Sequence, residues 1–379
     1  MKILGAKELV ADVQSTGLCI GCGACVDLCP YFRNHRGKTV QLFPCNLSQG
    51  RCFASCPKAE VDLGELARIY WHQPYRGQPV GKYDQALAAK AGAKMPSGAY
   101  QGGGAVSALL TQAMNRGLID AAVLTGQNEN GPFPVVAEDP EDIVSCASSK
   151  FSAAPTLAAL NRATAAGRRN LGVVGTPCQV TAVAKMRCNP LRHDEFGDSV
   201  SLVIGLFCNW SLDQRALRTY LGRMVDPSRI KGTDIPPPPA KIMRLDLGDE
   251  ILEIPLDEVR PFIPATCRLC PDMTSEWADI SVGMFEGRPG WNTLLVRTAK
   301  GQKLVNDTVA SGLLLTEPMP AANLEHLKEA AAGKKRRAFQ AVRQRGLLNP
   351  SAQDAQAMLR VPPDVLKEII DEEDGGSHV

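Results

Sequence analysis

The chain of 379 residues is long enough for two or three domains at about 100–200 residues each, with a large buried core. Hydrophobic residues make up 44% and charged residues 22%, an ordinary globular balance that excludes wholesale disorder. Lys and Arg number 42 against 40 Asp and Glu, a net charge of +2 without the basic excess of a dedicated nucleic-acid binder; no run nears the ~18 apolar residues of a membrane span and residues 1–5 lack a signal peptide's apolar core, so a soluble, cytoplasmic protein is expected.

Residues 1–66 are the cysteine-dense part of the chain. Of thirteen cysteines, seven fall between Cys19 and Cys56, several only two or three residues apart, which suits a metal better than disulfides in a reducing cytosol. The run Cys19-Ile-Gly-Cys22-Gly-Ala-Cys25-Val-Asp-Leu-Cys29-Pro30 is C-x2-C-x2-C-x3-C-P without a flaw. In this pattern three thiolates wrap one cubane and the fourth cysteine reaches a second cluster. Gly21 and Gly23 let the backbone pass close to the cluster, and Pro30 turns the chain away. Zinc motifs instead pair two separated CxxC units, so the spacing favours iron–sulfur.

A second half-motif, Cys52-Phe-Ala-Ser-Cys56-Pro57, keeps the C-x3-C-P ending, but Asn46 and Gln49 stand where cysteines belong and Cys45 is one residue off. Ferredoxin-type crossover gives Cys19, Cys22, Cys25 and Cys56 to one [4Fe-4S] cluster. It leaves Cys29, Cys45 and Cys52 as ligands of a [3Fe-4S] cluster, of a [4Fe-4S] cluster with an oxygen or nitrogen ligand, or as a trio with no cluster. Two clusters in so short a segment form an electron wire.

From about 80 to 230, short apolar runs alternate with Ala-rich stretches, the pattern of βα units. Gln101-Gly102-Gly103-Gly104-Ala105-Val106-Ser107 opens a helix predicted over 106–116 and ended by Gly117. Glycines there let backbone N–H groups approach a phosphate, or form a flexible turn; the triplet is not GxGxxG, so a standard NAD-binding motif is not present. Ser148-Ser149-Lys150-Phe151-Ser152 offers hydroxyls and a cation to phosphate, or is a solvated loop. Strands are predicted at 121–124, 171–174 and 199–207, with a helix at 155–166. The proline run at 236–239, stiff and unfit for a sheet interior, separates this region from a β-rich piece. There 242–247 and 251–254 flank Gly248-Asp249-Glu250 as a hairpin, and strands follow at 279–284 and 293–297. Beyond about 320 the chain reads as helical and charged, with a basic cluster at 334–337 and an acidic tail from 371 to 374.

The remaining cysteines are dispersed. Cys178 lies in Gly175-Thr176-Pro177-Cys178-Gln179 just after one predicted strand, Cys208 ends another, and Cys267-Arg-Leu-Cys270 is a CxxC. Strand ends of an α/β sheet are where cofactors sit, so these four can converge on one site. Spacing alone leaves zinc and iron–sulfur equally open there.

From about residue 19 to 301 the chain resembles the β subunits of F420-reducing hydrogenase and F420-dependent formate dehydrogenase. The resemblance is carried by 97–107, by Leu118-Ile119-Asp120-Ala121-Ala122-Val123, by Ser149-Lys150-Phe151-Ser152 and by Gly175-Thr176-Pro177-Cys178-Gln179. Cys267-Arg-Leu-Cys270-Pro-Asp272 and Ala278-Asp279-Ile280-Ser281-Val282-Gly283 continue it. It implies FAD in an α/β domain beside a [4Fe-4S] cluster, which assigns Cys178, Cys208, Cys267 and Cys270 to iron–sulfur. It further implies FAD contacts from Gln101, Gly102, Gly103, Gly104, Ser107, Lys150, Phe151, Ser152, Gly175, Thr176 and Pro177. The damaged second ferredoxin motif is the departure from the family pattern.

The expected fold is therefore an α/β flavin-binding domain (80–315) with an N-terminal ferredoxin-like iron–sulfur segment (1–66) and a helical, charged C-terminal extension (316–379). The implied function is electron relay between a catalytic subunit of formate dehydrogenase or hydrogenase type and coenzyme F420, through [4Fe-4S] clusters and FAD. The alternatives are a ferredoxin-linked flavin reductase of an organic substrate and a flavin-free electron-transfer adapter. No protein acid–base pair is needed: His35, His72, His193, His326 and His378 read as surface or structural residues. Trp291 suits either a flavin stack or the core, and Cys146 and Cys188 read as free buried thiols.

Overall fold

The computed structural model describes residues 2–35, 37–96, 98, 100–128, 130–188, 191, 198–236, 240–349 and 357–371. Residues 237–239 of the proline run, 372–374 of the acidic tail, His193 and His378 lie outside the described residues.

An eight-stranded mixed sheet carries the middle of the chain. Across it run Gly131–Ala137, Ala121–Asn128, Leu171–Gly175, Val200–Leu206, Ile280–Met284, Asn292–Val296, Gln85–Ala91 and Leu314–Pro318. Ala121–Asn128, Leu171–Gly175, Val200–Leu206 and Ile280–Met284 pair in parallel, and the flanking pairs are antiparallel. The parallel strands are apolar runs because helices cover both their faces; every residue of Leu171–Gly175 is buried. The predicted helices form as Ala105–Asn115 and Thr156–Ala165, and Gly117 follows the first in a left-handed conformation. The strand expected at 121–124 runs on to Asn128 and is paired by Gly131–Ala137. Pro132 and Pro134 hide that partner from a propensity reading, and both are tolerated because it is an edge strand.

The expected hairpin forms as Ile242–Asp246 against Ile251–Pro255, with Gly248 at φ +92°. A third strand, Gly232–Asp234, joins it, and Met243, Leu245, Leu217 and Val259 give this small sheet its own core.

The N-terminal segment shares a core with the α/β part. Phe32, Phe53 and Leu66 belong to one buried cluster with Leu157, Val173, Val183 and Trp277. Helix Leu63–Trp71 crosses residue 66, and Trp71 stacks on Trp277 with ring centroids 4.6 Å apart. Strand Leu314–Pro318 likewise crosses residue 315. The C-terminal extension is not helical throughout: between Ala321–Gln344 and Pro363–Asp371 the chain returns to the N-terminal segment. There Leu359–Arg360 pairs in parallel with Val61–Asp62, and Arg360 meets the buried Glu60 at 2.8 Å. Two residues are too short a strand to leave a period in the sequence.

Candidate cofactor site

Two neighbouring parallel strands deliver the first dispersed cysteines. Leu171–Gly175 leads into Thr176, whose capping box with Gln179 starts helix Pro177–Arg187 and sets Cys178 in its first turn. Val200–Leu206 leads to Cys208, whose N–H donates to the Met273 carbonyl at 2.9 Å. Cys267 lies in the tight turn Ala265–Leu269 and Cys270 just after it. Behind them the Asp272 carboxylate accepts from the N–H groups of Thr274, Ser275 and Glu276 and fixes the loop. Burial pushes the Cys178 thiol up to about 11, with the charges of Cys270 and Cys267 adding to it. Burial also raises Cys208, against the pull of Lys334 and reinforced by Cys178, Cys267 and Cys270. Four sulfurs spread over 93 residues of chain, Cys178 to Cys270, therefore share one electrostatic neighbourhood.

The N-terminal cysteines form two further sets. Burial raises Cys22, and Cys178, Cys56 and Cys19 raise it further. Cys25 is raised by burial and then by Cys22, Cys56, Cys19 and Cys52. Cys56 thus joins Cys19, Cys22 and Cys25 across the second half-motif. Burial takes Cys52 to about 11, and Cys29, Cys45 and Cys56 act on it. The charges also act between sets: Cys56 on Cys52, Cys52 on Cys25 and Cys178 on Cys22.

Gly21 and Gly23 have left-handed φ of +72° and +88°. A Cβ on Gly21 would strike the Gly37 carbonyl and one on Gly23 the Pro155 carbonyl. Their missing side chains thus make room for protein backbone, a constraint the sequence reading assigned to the cluster alone. The loop is clamped onto the α/β part by Leu157, whose N–H donates to the Cys22 carbonyl, and by buried Asn161. The Asn161 amide donates to the carbonyls of Gly23, Ala24 and Val26 at 3.4, 3.1 and 2.6 Å.

Three buried lysines surround these sulfurs. Lys185, 1% exposed, donates to the Cys56 carbonyl at 2.7 Å and to the Ala59 carbonyl. Lys334 donates to the carbonyls of Cys208 and Asp272 at 2.5 and 2.8 Å, and Lys58 to that of Thr266 at 3.2 Å. Among the described residues none of the three makes an ion pair with a carboxylate. A buried ammonium facing only carbonyls is costly unless an anion lies close by. Burial accordingly pushes Lys185 down to about 8. At Lys334 burial is outweighed by Cys270, Cys208 and Asp272, and its pKa sits above the ordinary lysine value. Cysteine-ligated clusters are net anionic bodies bound by thiolates, so the donor sets and their lysines fit iron–sulfur clusters.

The sulfurs of Cys178, Cys208, Cys267 and Cys270 open onto a cavity of about 780 Å³ at the C-terminal ends of the parallel strands, the position at which open α/β sheets take ligands. Its wall includes Gln101, Gly102, Gly104, Ser107, Lys150, Phe151, Ser152, Gly175, Thr176 and Pro177, but not Gly103. The charged side chains on the wall are Lys58, Lys150, Lys241, Arg260 and Lys334 against Glu286 alone, a balance that suits an anionic ligand. Burial lowers the pKa of Lys150, which donates to the Ala147 carbonyl at 2.7 Å.

Residues 86–161 match the family model for the N-terminal part of the coenzyme F420 hydrogenase/dehydrogenase beta subunit, and 168–322 match the model for its C-terminal part. Residues 13–31 match a 4Fe-4S binding domain. The coenzyme F420 hydrogenase subunit beta of Methanococcus voltae is 31% identical over 63% of this chain and 86% of its own length. The chain belongs to the family of coenzyme F420 hydrogenase/dehydrogenase beta subunits. This is a family of oxidoreductases. The coenzyme F420 hydrogenase subunit beta of Methanothermobacter thermautotrophicus is 26% identical over 68% of this chain and 94% of its own length. A chain of the F420-reducing [NiFe] hydrogenase complex from Methanosarcina barkeri superposes with a TM-score of 0.65 at 26% identity, over 70% of this chain and 94% of that one.

In this beta-subunit chain several residues beyond the sequence reading shape the site. Asn292 caps helix Ala105–Asn115 by accepting from the Ala105 N–H at 3.2 Å, so one donor at the glycine-rich N-terminus is already used. A Cβ on Gly103 would meet the Ala89 carbonyl and Asn292, which makes this glycine a requirement of sheet packing. Gln101 bridges the Asp234 carboxylate and the Ser149 N–H, tying the glycine loop to the small sheet. The Thr176 hydroxyl serves the capping box and lies 3.3 Å from Cys178 Sγ. Lys334 and Lys335, from the basic cluster at 334–337, are buried; Lys335 meets Glu276 at 2.6 Å. Trp291 is buried between Arg288 and Lys90, 3.6 and 4.9 Å from the ring centroid, and packs in the core. His326 is exposed as expected, at the edge of the cavity and 2.9 Å from Glu286. Cys146 lies on the cavity wall, whereas Cys188 ends helix Pro177–Arg187 near Glu65. No described helix is long and apolar enough to cross a membrane.

Proposed function

We propose that this chain is the flavin- and cluster-bearing subunit of a cytoplasmic oxidoreductase complex, passing electrons between a catalytic subunit of formate dehydrogenase or hydrogenase type and coenzyme F420. The observation that carries this reading is the unbroken series of sulfur sets, from Cys29/Cys45/Cys52 through Cys19/Cys22/Cys25/Cys56 to Cys178/Cys208/Cys267/Cys270, ending at a cation-lined cavity. The two quartets would hold one [4Fe-4S] cluster each and the trio a third cluster. FAD in the cavity would supply hydride exchange on one side and single-electron exchange on the other.

The residues of the chain bind and orient. Gly102, Gly104, Ser107, Gly175 and Pro177 leave the wall open to a dinucleotide, and Phe151 and Ser152 border it. A phosphate beside Lys150 would offset the burial that lowers its pKa. Lys58 and Lys334 hold positive charge between the cavity and its sulfur floor. The F420-linked names of the relatives support F420 as the hydride partner. The test is anaerobic mixing of the iron-loaded, flavinated chain with reduced F420. Flavin bleaching followed by paramagnetic signals of reduced clusters is expected. Absence of bound flavin, or reduced F420 left unoxidised in the presence of an artificial acceptor, would overturn the reading.

A further inference from the structure

Between Cys208 and Cys267 the chain makes an excursion with a core of its own. Among the described residues every buried side chain of that core lies between Leu212 and Val259, around the three-stranded sheet. The excursion starts and ends at members of one sulfur quartet. Its base is fixed there by the Cys208 N–H on the Met273 carbonyl and by the Thr266 hydroxyl, which donates to the Leu18 carbonyl at 2.7 Å. Trp210, Ile235, Lys241, Leu256 and Arg260 form its share of the cavity wall. A subdomain with its own core, anchored at its base and bordering a cavity, has the construction of a closing cap.

Among the described residues Phe151 is the one side chain from outside the excursion that packs against this core, and it also lines the cavity. Its backbone is left-handed, φ +53°, a conformation uncommon for so bulky a side chain and sustained only where the surroundings hold it. The Phe151 carbonyl accepts from the Leu212 N–H at 2.8 Å and from the Ser211 hydroxyl at 3.4 Å, and Ser152 forms a bridge with Leu212. Gln101 adds a further tie by joining Ser149 of the same loop to Asp234 of the excursion. Lys150, between these contacts, donates to the Ala147 carbonyl and the Ser148 hydroxyl and meets no carboxylate among the described residues. One loop thus grips the excursion at 149, 151 and 152 and offers a cation to the cavity at 150.

We propose that residues 209–263 are a cap on the cavity and that Phe151 is its latch: a phosphate held at Lys150 fixes the loop 148–152, which seats Phe151 in the cap core. Phe151 is then a positioning residue, and ligand binding and cap closure are one linked equilibrium in which each tightens the other. The inference rests on the reading that a phosphate-bearing flavin occupies the cavity. Closure is also measured with a simpler anion, so the two can fail separately.

The experiment follows hydrogen exchange of the full, iron-loaded chain by mass spectrometry, alone, with FAD and with inorganic pyrophosphate. FAD is expected to slow exchange about tenfold across 209–263 as well as in the loop. Phe151→Ala leaves the cap core its own buried residues. It should nevertheless remove the effect of FAD on the cap and speed flavin release about tenfold at unchanged iron content. Phe151→Leu should restore most of the coupling, and Asp234→Ala should show a smaller loss of the same kind. A cap loosened equally with and without FAD in Phe151→Ala would mark that residue as structural only and overturn the latch. Cap exchange that ignores FAD in the wild type, or answers it as fully in Phe151→Ala, would overturn it as well. Closure by pyrophosphate in a chain that binds no FAD would keep the latch and remove the flavin reading; closure by neither would remove the latch.

Discussion

The two sulfur quartets and the sulfur trio are built differently. Each quartet has a buried lysine bonded to the carbonyl of one of its own cysteines, Lys185 at Cys56 and Lys334 at Cys208. The main charges acting on Cys52 in the trio are other cysteines, with no lysine among them, and Cys45 lies in a solvent-exposed loop. An enclosed anionic cluster cannot rely on water to solvate its charge, so the protein supplies an interior cation; an exposed one can use solvent. On the proposed relay, the quartets would act as interior stations and the trio as the outermost one.

The contrast is broken most directly at Cys22, the member of the first quartet on which Cys178 of the second acts. Cys22→Ser is expected to remove about four of the 11 or 12 irons that three clusters imply. It should also abolish electron transfer to an external acceptor protein while flavin reduction by F420H2 persists. Loss of both activities in a folded, flavinated variant would show that the quartets are not separate stations. Cys45→Ser tests the trio by itself: iron analysis should fall to about eight per chain, the content of two cubanes, with both quartet signals intact. An unchanged iron content near eight in wild type and variant would assign the trio a purely structural role.

The interior cations are tested by Lys334→Met. A unit charge about 7 Å from the electron acceptor contributes about 2 kcal/mol at an effective dielectric near 20, roughly 100 mV for one electron. The midpoint potential of the Cys178/Cys208/Cys267/Cys270 cluster should therefore drop by that order in a redox titration, and an unshifted potential at full iron content would exclude the role. The smallest effect is expected at Asn161→Ala, which deletes three hydrogen bonds to the first cysteine loop. A loss of about 1–3 kcal/mol should appear as faster hydrogen exchange in residues 19–29 and faster iron loss to chelator, with the α/β sheet unaffected.

The sequence by itself determined whatever is local. The spacing from Cys19 to Cys29, the helices at 106–116 and 155–166, the buried strands and the Gly248 hairpin all depend on neighbours within a few turns of chain; the helices, the hairpin and the strands were found within a residue or two of their expected places, except that the strand at 121–124 runs on to Asn128. Family-specific runs such as Gly175-Thr176-Pro177-Cys178-Gln179 carried the membership. Tertiary structure alone decided what meets across the chain: Cys22 beside Cys178, Asn161 on the cysteine loop, Leu359–Arg360 against Val61–Asp62. It also decided that Lys334 and Lys335 are interior, since a run of cations in a charged helix looks like a solvated face until the partner surface is known. A propensity or a period reports on the backbone's own preferences. The place of a buried charge is set instead by the anion and carbonyls it finds, and these arrive from strands and loops distant in sequence.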